Sequence, residues 1–358
     1  EEPLKYLITI IVTILAFTAQ AAPPSTAPET AFKLATFKAD GIVRLGMVVD
    51  ENILDIRGAN AALTSSENLK RIRIPRNMRS LIENYDRVKS RLYQIANYYS
   101  DTATDRSFIF EFDDVTLKAP IKYPYNLLAA AANYQDHSME MARKFGNPDP
   151  KPVNPDVATP VFFANSPRST IIDPGAPFPM PETNKVWDFE NELAVIIGKK
   201  AKRLTLENAK DHVFGYSIVF DVNTRDDPNA PEEEEQDGFN FGVSWFEAKR
   251  RDNAAPFGPV IVPKEFIEDS ANLQIITKVN GVEKQNGNSK DMIHNEERLL
   301  RHVTSILTLY PGDVVMTGTP AGVGSARNPP EFLQPGDTVE MTIEGIGTFV
   351  TPIIKEQE

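Results

Sequence analysis

The spacing of apolar positions along the chain changes several times. From Phe32 to Ile56, apolar and polar residues alternate through FKLATFKADGIVRLGMVVDENILDI around Gly41 and Asp50-Glu51. That two-residue period predicts short antiparallel strands joined by hairpins. Leu81, Tyr85, Val88, Leu92 and Ile95 then recur every three to four residues, which predicts a helical stretch. Beyond Ala119, the apolar runs 192–197, 216–220 and 273–279 predict strands with little exposed face. No internal repeat is visible, and no alternation of strand and helix with a glycine-rich phosphate loop. The expected fold class is therefore α+β, mainly β.

The first 22 residues follow a different pattern. Lys5 to Ala22 is apolar, ends in small residues of the Ala-x-Ala type, and is followed by Pro23-Pro24-Ser25-Thr26-Ala27-Pro28. The pattern predicts a secretory signal peptide, or a short uncleaved membrane anchor, ahead of a linker. Either reading exports the body of the protein, to the periplasm or outside the cell. The expected organisation is a signal peptide or anchor over 1–22, a linker over 23–31, a small β-rich N-terminal domain over 32–118, and a larger domain over 119–358.

Composition narrows the chemistry. Fifty acidic residues against 38 basic ones give a net charge of -12, which argues against a nucleic-acid partner, since such binding needs a basic face. There is no cysteine among the 358 residues, so disulfides, thiolate nucleophiles, cysteine-ligated zinc and iron–sulfur clusters are excluded together. With only four histidines, any catalysis must rest on carboxylates, one or two imidazoles, lysine and hydroxyls. The acidic run Asp226 to Asp237 reads as a solvated loop, with a lid or a weak cation trap as the alternative.

Two constellations carry candidate chemistry. In Trp187-Asp188-Phe189-Glu190-Asn191-Glu192-Leu193, two glutamates two residues apart open an apolar strand, so they project to one face. Side by side they repel unless a cation lies between them. The strand Tyr216–Phe220 delivers Asp221 at its C-terminal end. Three carboxylates without thiolates suit a hard, oxygen-ligated cation, Mg²⁺ first, with Mn²⁺ or Ca²⁺ as alternatives; an exposed strand edge is the competing reading. Upstream, His137 and Glu140 are neighbours at i, i+3 if that segment is helical, and the carboxylate can then orient the imidazole as a general base. A surface ion pair is the alternative.

Taken in order, these pieces resemble the fumarylacetoacetate hydrolase family. The matching text is Asn133-Tyr134…His137…Glu140, Asp188-Phe189-Glu190-Asn191-Glu192, Gly215-Tyr216…Asp221-Val222…Arg225-Asp226, Trp245…Lys249, Gly258-Pro259-Val260, Val279-Asn280-Gly281…Gln285-Asn286-Gly287, Pro311-Gly312-Asp313…Thr317-Gly318-Thr319-Pro320 and Pro335-Gly336-Asp337. The resemblance implies a mixed β-sandwich roll preceded by a small variable N-terminal domain. It also implies a divalent ion on Glu190, Glu192 and Asp221 that chelates a 2-oxo or enol acid, and a water activated by His137 with Glu140. Lys249 would place a positive charge near the oxyanion, Thr319 with the adjacent backbone at Gly318 would hold the substrate carboxylate, and Arg225 would contact substrate or pair with Asp226. The activity so implied is hydrolysis of a carbon–carbon bond in a β-diketo or acylpyruvate-type acid by a homodimer. Isomerases, decarboxylases and hydratases share the scaffold, and a non-catalytic oxo-acid binding protein is a further alternative. Ala130, Asn165, Arg250-Arg251-Asp252 and Asp227 depart from residues usual in the family and leave the substrate open.

Overall fold

A computed structural model describes residues 23–99, 107–226 and 245–357. The leader over 1–22 and all of the acidic run beyond Asp226 lie outside the described residues. Among those described, no helix is long and apolar enough to cross a membrane.

The predicted N-terminal hairpins are present. Strands Lys33–Ala39 and Ile42–Val49 turn over Asp40-Gly41, both at positive φ (50° and 76°), the conformation that a two-residue hairpin with matched twist requires. Asn52–Asp55 extends the meander. Three helices follow, Ile56–Ser66, Met78–Glu83 and Tyr85–Tyr99. Leu81, Val88, Leu92 and Ile95 are buried as their spacing predicts, but the stretch is broken at Asn84, whose side chain bonds back to the Ser80 carbonyl. The helix Ile56–Ser66 begins on Asp55, whose carboxylate accepts the Arg57 N–H as a cap.

These N-terminal strands join the main sheet. Lys33–Ala39 lies between Ile42–Val49 and Ala255–Pro263, with Leu34 opposite Ile261. From there the sheet continues through Val213–Phe220, Asn191–Ile197, Val314–Met316, Leu127–Ala131 and Val161–Asn165. A second sheet packs on one face. It contains Gln274–Val279, Val282–Asn288, Thr338–Ile343, Gly347–Lys355 and Phe178–Met180. The fold is mainly β, a sandwich-like roll with helices added.

Strand alternation divides the core in two. Leu193 and Val195 pack with Ile275, Val339 and Met341 of the second sheet. Ala194 and Ile196 face the opposite way and join the helical layer around Leu81 and Leu92. Glu192 shares the parity of Ala194, so the glutamates leave the sheet on the face away from the second sheet. Asn191, of the other parity, donates to the Ile276 carbonyl at 2.9 Å.

Candidate metal centre and active site

The carboxylate triad is assembled by one antiparallel pair of strands. Asn191 lies opposite Phe220, and the Asp221 N–H donates to the Glu190 carbonyl at 2.9 Å, so the ladder sets Glu190 beside Asp221. Ligand oxygens of Glu190, Glu192 and Asp221 lie within 4.8 Å of one another, and all three residues are buried. The edge-strand alternative is thereby removed.

Lys249, last residue of the helix Trp245–Lys249, projects its ammonium into this cluster. It donates to Glu190 Oε2 and to Asp221 Oδ2, each at 2.6 Å. Arg225 approaches from the other side, with Nη2 at 2.6 Å from Glu190 Oε1 and Nε at 3.0 Å from Asp188 Oδ2. The local Arg225–Asp226 pair anticipated above does not form. Asp226 accepts instead from Asn184, Thr224 and the N–H groups of Lys185 and Val186. Asp188 had no assigned role, yet it is fully buried and also accepts N–H bonds from Phe189, Gly324 and Ser325. It fixes Arg225 and the 318–326 segment at once.

Charge explains how these groups titrate. Burial opposes ionisation of Glu190, but Lys249, Arg225 and His137 outweigh it and hold the carboxyl down at about 2. Burial and the neighbouring Glu190 push Asp221 up to about 7 despite Lys249. Glu192 is raised well above the ordinary range by burial and by its two acidic neighbours. Lys249 is raised, because Asp221 and Glu190 overcome the cost of burying it.

The donor set fits a divalent cation. Four buried carboxylates (Asp188, Glu190, Glu192, Asp221) face only two cations (Lys249, Arg225), so full ionisation would leave two negative charges over. Protons on Glu192 and Asp221 meet that excess without a metal, and a divalent cation would meet it in their place. Asp221 Oδ1 is buried with no hydrogen-bond partner, and a buried orphan acceptor of this kind is costly unless something binds it. All the donors are oxygen, which suits a hard ion.

His137 and Glu140 lie on the helix Gln135–Lys144, as their spacing predicts. His137 is buried, and its Nδ1 is 2.7 Å from Glu140 Oε1. Glu140 also accepts the Gly322 N–H, which ties the helix to the 318–326 segment. His137, Lys249, Arg225, Gly318, Thr319, Glu190 and Glu192 all border one pocket, whose remaining wall includes Ala130–Ala132, Met141 and Phe163. The implied carboxylate cradle is more occupied than the resemblance suggests. Gly318 directs its N–H to Glu192 Oε2 at 2.8 Å, and the Thr319 hydroxyl donates to the Asn191 carbonyl at 3.1 Å while accepting from Gln285.

Residues 126–354 match the family described as fumarylacetoacetate (FAA) hydrolase C-terminal. The chain belongs to the fumarylacetoacetate hydrolase family. Within it, the chain is 32% identical to oxaloacetate tautomerase YisK of Bacillus subtilis over 324 residues, 90% of this chain and 99% of that one. It is 37% identical to the mitochondrial oxaloacetate tautomerase fahd2 of Xenopus laevis over 246 residues, 69% of this chain and 70% of that one. Among solved structures, a fumarylacetoacetate hydrolase from Exiguobacterium antarcticum aligns with a TM-score of 0.67 at 30% identity, covering 91% of this chain and all of the other. Membership of the family makes the chain an enzyme of that superfamily with a buried acidic triad suited to a divalent metal. Hydrolysis is one branch among the family's activities.

Proposed function

We propose that the chain is a divalent-metal-dependent tautomerase of a 2-oxo dicarboxylic acid, interconverting keto and enol forms. One observation carries the reading: His137 and the Lys249 ammonium border the same pocket as Glu190 and Glu192, and that ammonium also holds Asp221, the third member of the triad, behind the pocket wall. Moving a proton between a carbon and the adjacent carbonyl oxygen needs a base near the carbon and positive charge near the oxygen. The relatives named as oxaloacetate tautomerases support it, one of them over nine-tenths of this chain.

The residues divide the work. Glu140 accepts from His137 Nδ1, which leaves Nε2 to take the proton from the carbon beside the keto group. Glu190, Glu192 and Asp221 would hold the cation, with Mg²⁺ or Mn²⁺ as first choices. When bound, the cation supplies Lewis-acid polarisation of the 2-oxo group. Lys249, kept protonated by Glu190 and Asp221, adds charge that stabilises the enolate oxygen as it develops. Water then gives the enolate oxygen the proton that makes the enol, and protonated His137 releases the proton taken from carbon to solvent, so one proton enters and one leaves.

A second reading is hydrolytic cleavage of an acylpyruvate-type acid, favoured by the same buried His137–Glu140 pair, which can equally activate water. Export through residues 1–22 and assembly as a homodimer belong to the same proposal.

The test supplies oxaloacetate and an acylpyruvate to the purified enzyme with Mg²⁺ or Mn²⁺, following enol absorbance and release of the cleaved acid separately. Metal-dependent tautomerisation without cleavage is expected, and Glu190→Ala or Asp221→Ala should lose both divalent binding and turnover. Full activity in chelator would overturn the metal-dependent reading; cleavage as the faster reaction would replace the first reading with the second.

A further inference from the structure

Between the strand Leu127–Ala131 and the helix that carries His137 the chain makes an abrupt turn. Ala132 sits at positive φ (48°), a conformation that disfavours a residue with a Cβ and that persists only where the surroundings impose it. The next residue, Asn133, is 2% exposed and uses its whole carboxamide. Its Nδ2 donates to the Thr317 carbonyl at 2.9 Å and the His294 carbonyl at 3.0 Å, and its Oδ1 accepts the His294 N–H at 2.9 Å. Its backbone carbonyl accepts the Ile293 N–H at 2.7 Å, and Tyr134 forms an isolated bridge with Met292.

These contacts join two parts of the site. Thr317 precedes Gly318, whose N–H holds Glu192. Gly318 packs so closely on this turn that a Cβ there would lie 3.1 Å from Asn133 Cβ and 3.0 Å from the Ala130 carbonyl oxygen. One carboxamide therefore spans the segment that holds a triad carboxylate and the entry to the helix carrying the His137–Glu140 pair. Neither partner carbonyl is near in sequence, so no local hydrogen bond can replace it.

We propose that Asn133 is a positioning residue: it fixes where His137 stands relative to the carboxylate triad. The proposal rests on the reading of His137 as the proton-transfer group. Acting through His137, Asn133 affects turnover more than cation binding, because Glu192 keeps its own bond from the Gly318 N–H and neither Glu190 nor Asp221 bonds to Asn133.

The test is a double-mutant cycle, Asn133→Ala and His137→Ala singly and together, with tautomerisation kinetics and Mn²⁺ affinity measured on each. Asn133→Ala should lower kcat by about 30- to 100-fold, as expected when a catalytic group is misplaced by about 1 Å, with KM and Mn²⁺ affinity little changed. In the His137→Ala background the same substitution should cost almost nothing, since residues acting as one unit are not additive. Equal losses in both backgrounds, Mn²⁺ affinity falling in step with kcat, or full activity of Asn133→Ala would each overturn the proposal. If His137→Ala alone retains turnover, the reading of His137 fails, and the inference fails with it for a distinguishable reason. Should Asn133→Ala not fold, Asn133→Ser, which keeps a hydroxyl donor, carries the same cycle with the same outcomes.

Discussion

Replacing Lys249 with methionine tests the charge balance of the site most directly. The ammonium makes two 2.6 Å contacts, to Glu190 and Asp221, in a largely solvent-free cluster. Its removal leaves four carboxylates facing Arg225 alone. Breaking a buried ion pair from one side costs about 3–5 kcal/mol, because the remaining charge stays buried without compensation. For 358 residues, an unfolding entropy of about 2.1 cal/mol/K per residue gives about 0.75 kcal/mol/K, so the melting temperature in chelator should fall by about 4–7 °C. Saturating Mn²⁺ should narrow that deficit, since the ion supplies the charge that the lysine no longer does. Turnover with bound metal should still drop by about 10²- to 10³-fold, the usual loss when a group stabilising a developing oxyanion is removed. Scanning fluorimetry with and without metal, paired with tautomerase kinetics, measures all three. A variant that melts within about 1 °C of the parent in chelator, or whose deficit Mn²⁺ leaves unchanged, would refute the charge accounting.

Metal-free protein should lose stability as pH rises from about 5 to 7, by up to about 1.4 kcal/mol per pH unit for each raised group, because folded Asp221 and Glu192 retain protons that the unfolded chain releases near pH 4. Glu190, held at about 2 against an ordinary value of 4.5, acts only at lower pH and does not offset the trend; a melting temperature in chelator that is flat or rises over this range would refute it. Asp188→Ala should lower stability by about 3–5 kcal/mol, since it leaves Arg225 half-paired and three N–H groups without their acceptor, and a urea midpoint equal to the parent's would contradict the role assigned to it.

What the sequence made legible was chemistry of short range. Glu190 and Glu192 share a face because strand side chains alternate, and His137 meets Glu140 because residues three apart are neighbours on a helix. Asp221 was readable as the residue that ends an apolar strand. The partner of Arg225 was not readable from its neighbours. Strand Trp187–Asp188 pairs with Asn223–Thr224, Asp188 opposite Asn223, and that register brings Asp188 to the guanidinium while Asp226 turns toward the backbone at Lys185 and Val186. Gly318 and Thr319 were found in the pocket, but their donors serve Glu192 and Asn191, a commitment that only the packed arrangement reveals. The helix Ile56–Ser66 was missed because its buried positions, Ile56, Ala59 and Leu63, follow directly on alternating strands and include a small residue.

The pairing of Asn191 with Phe220 bears on how such a site can vary between proteins. Glu192 lies in one strand, Glu190 immediately precedes that strand, and Asp221 immediately follows its neighbour, where its N–H still pairs with the Glu190 carbonyl, so the cluster is specified by register rather than by loop conformation. Substitutions can retune its charge by degrees, and connections outside the ladder can lengthen or shorten freely. An insertion of one residue between Glu190 and Glu192 has no such gradation: it would turn one glutamate to the opposite face, toward the second sheet, and the cation site would be lost in a single step while most of the sheet remained.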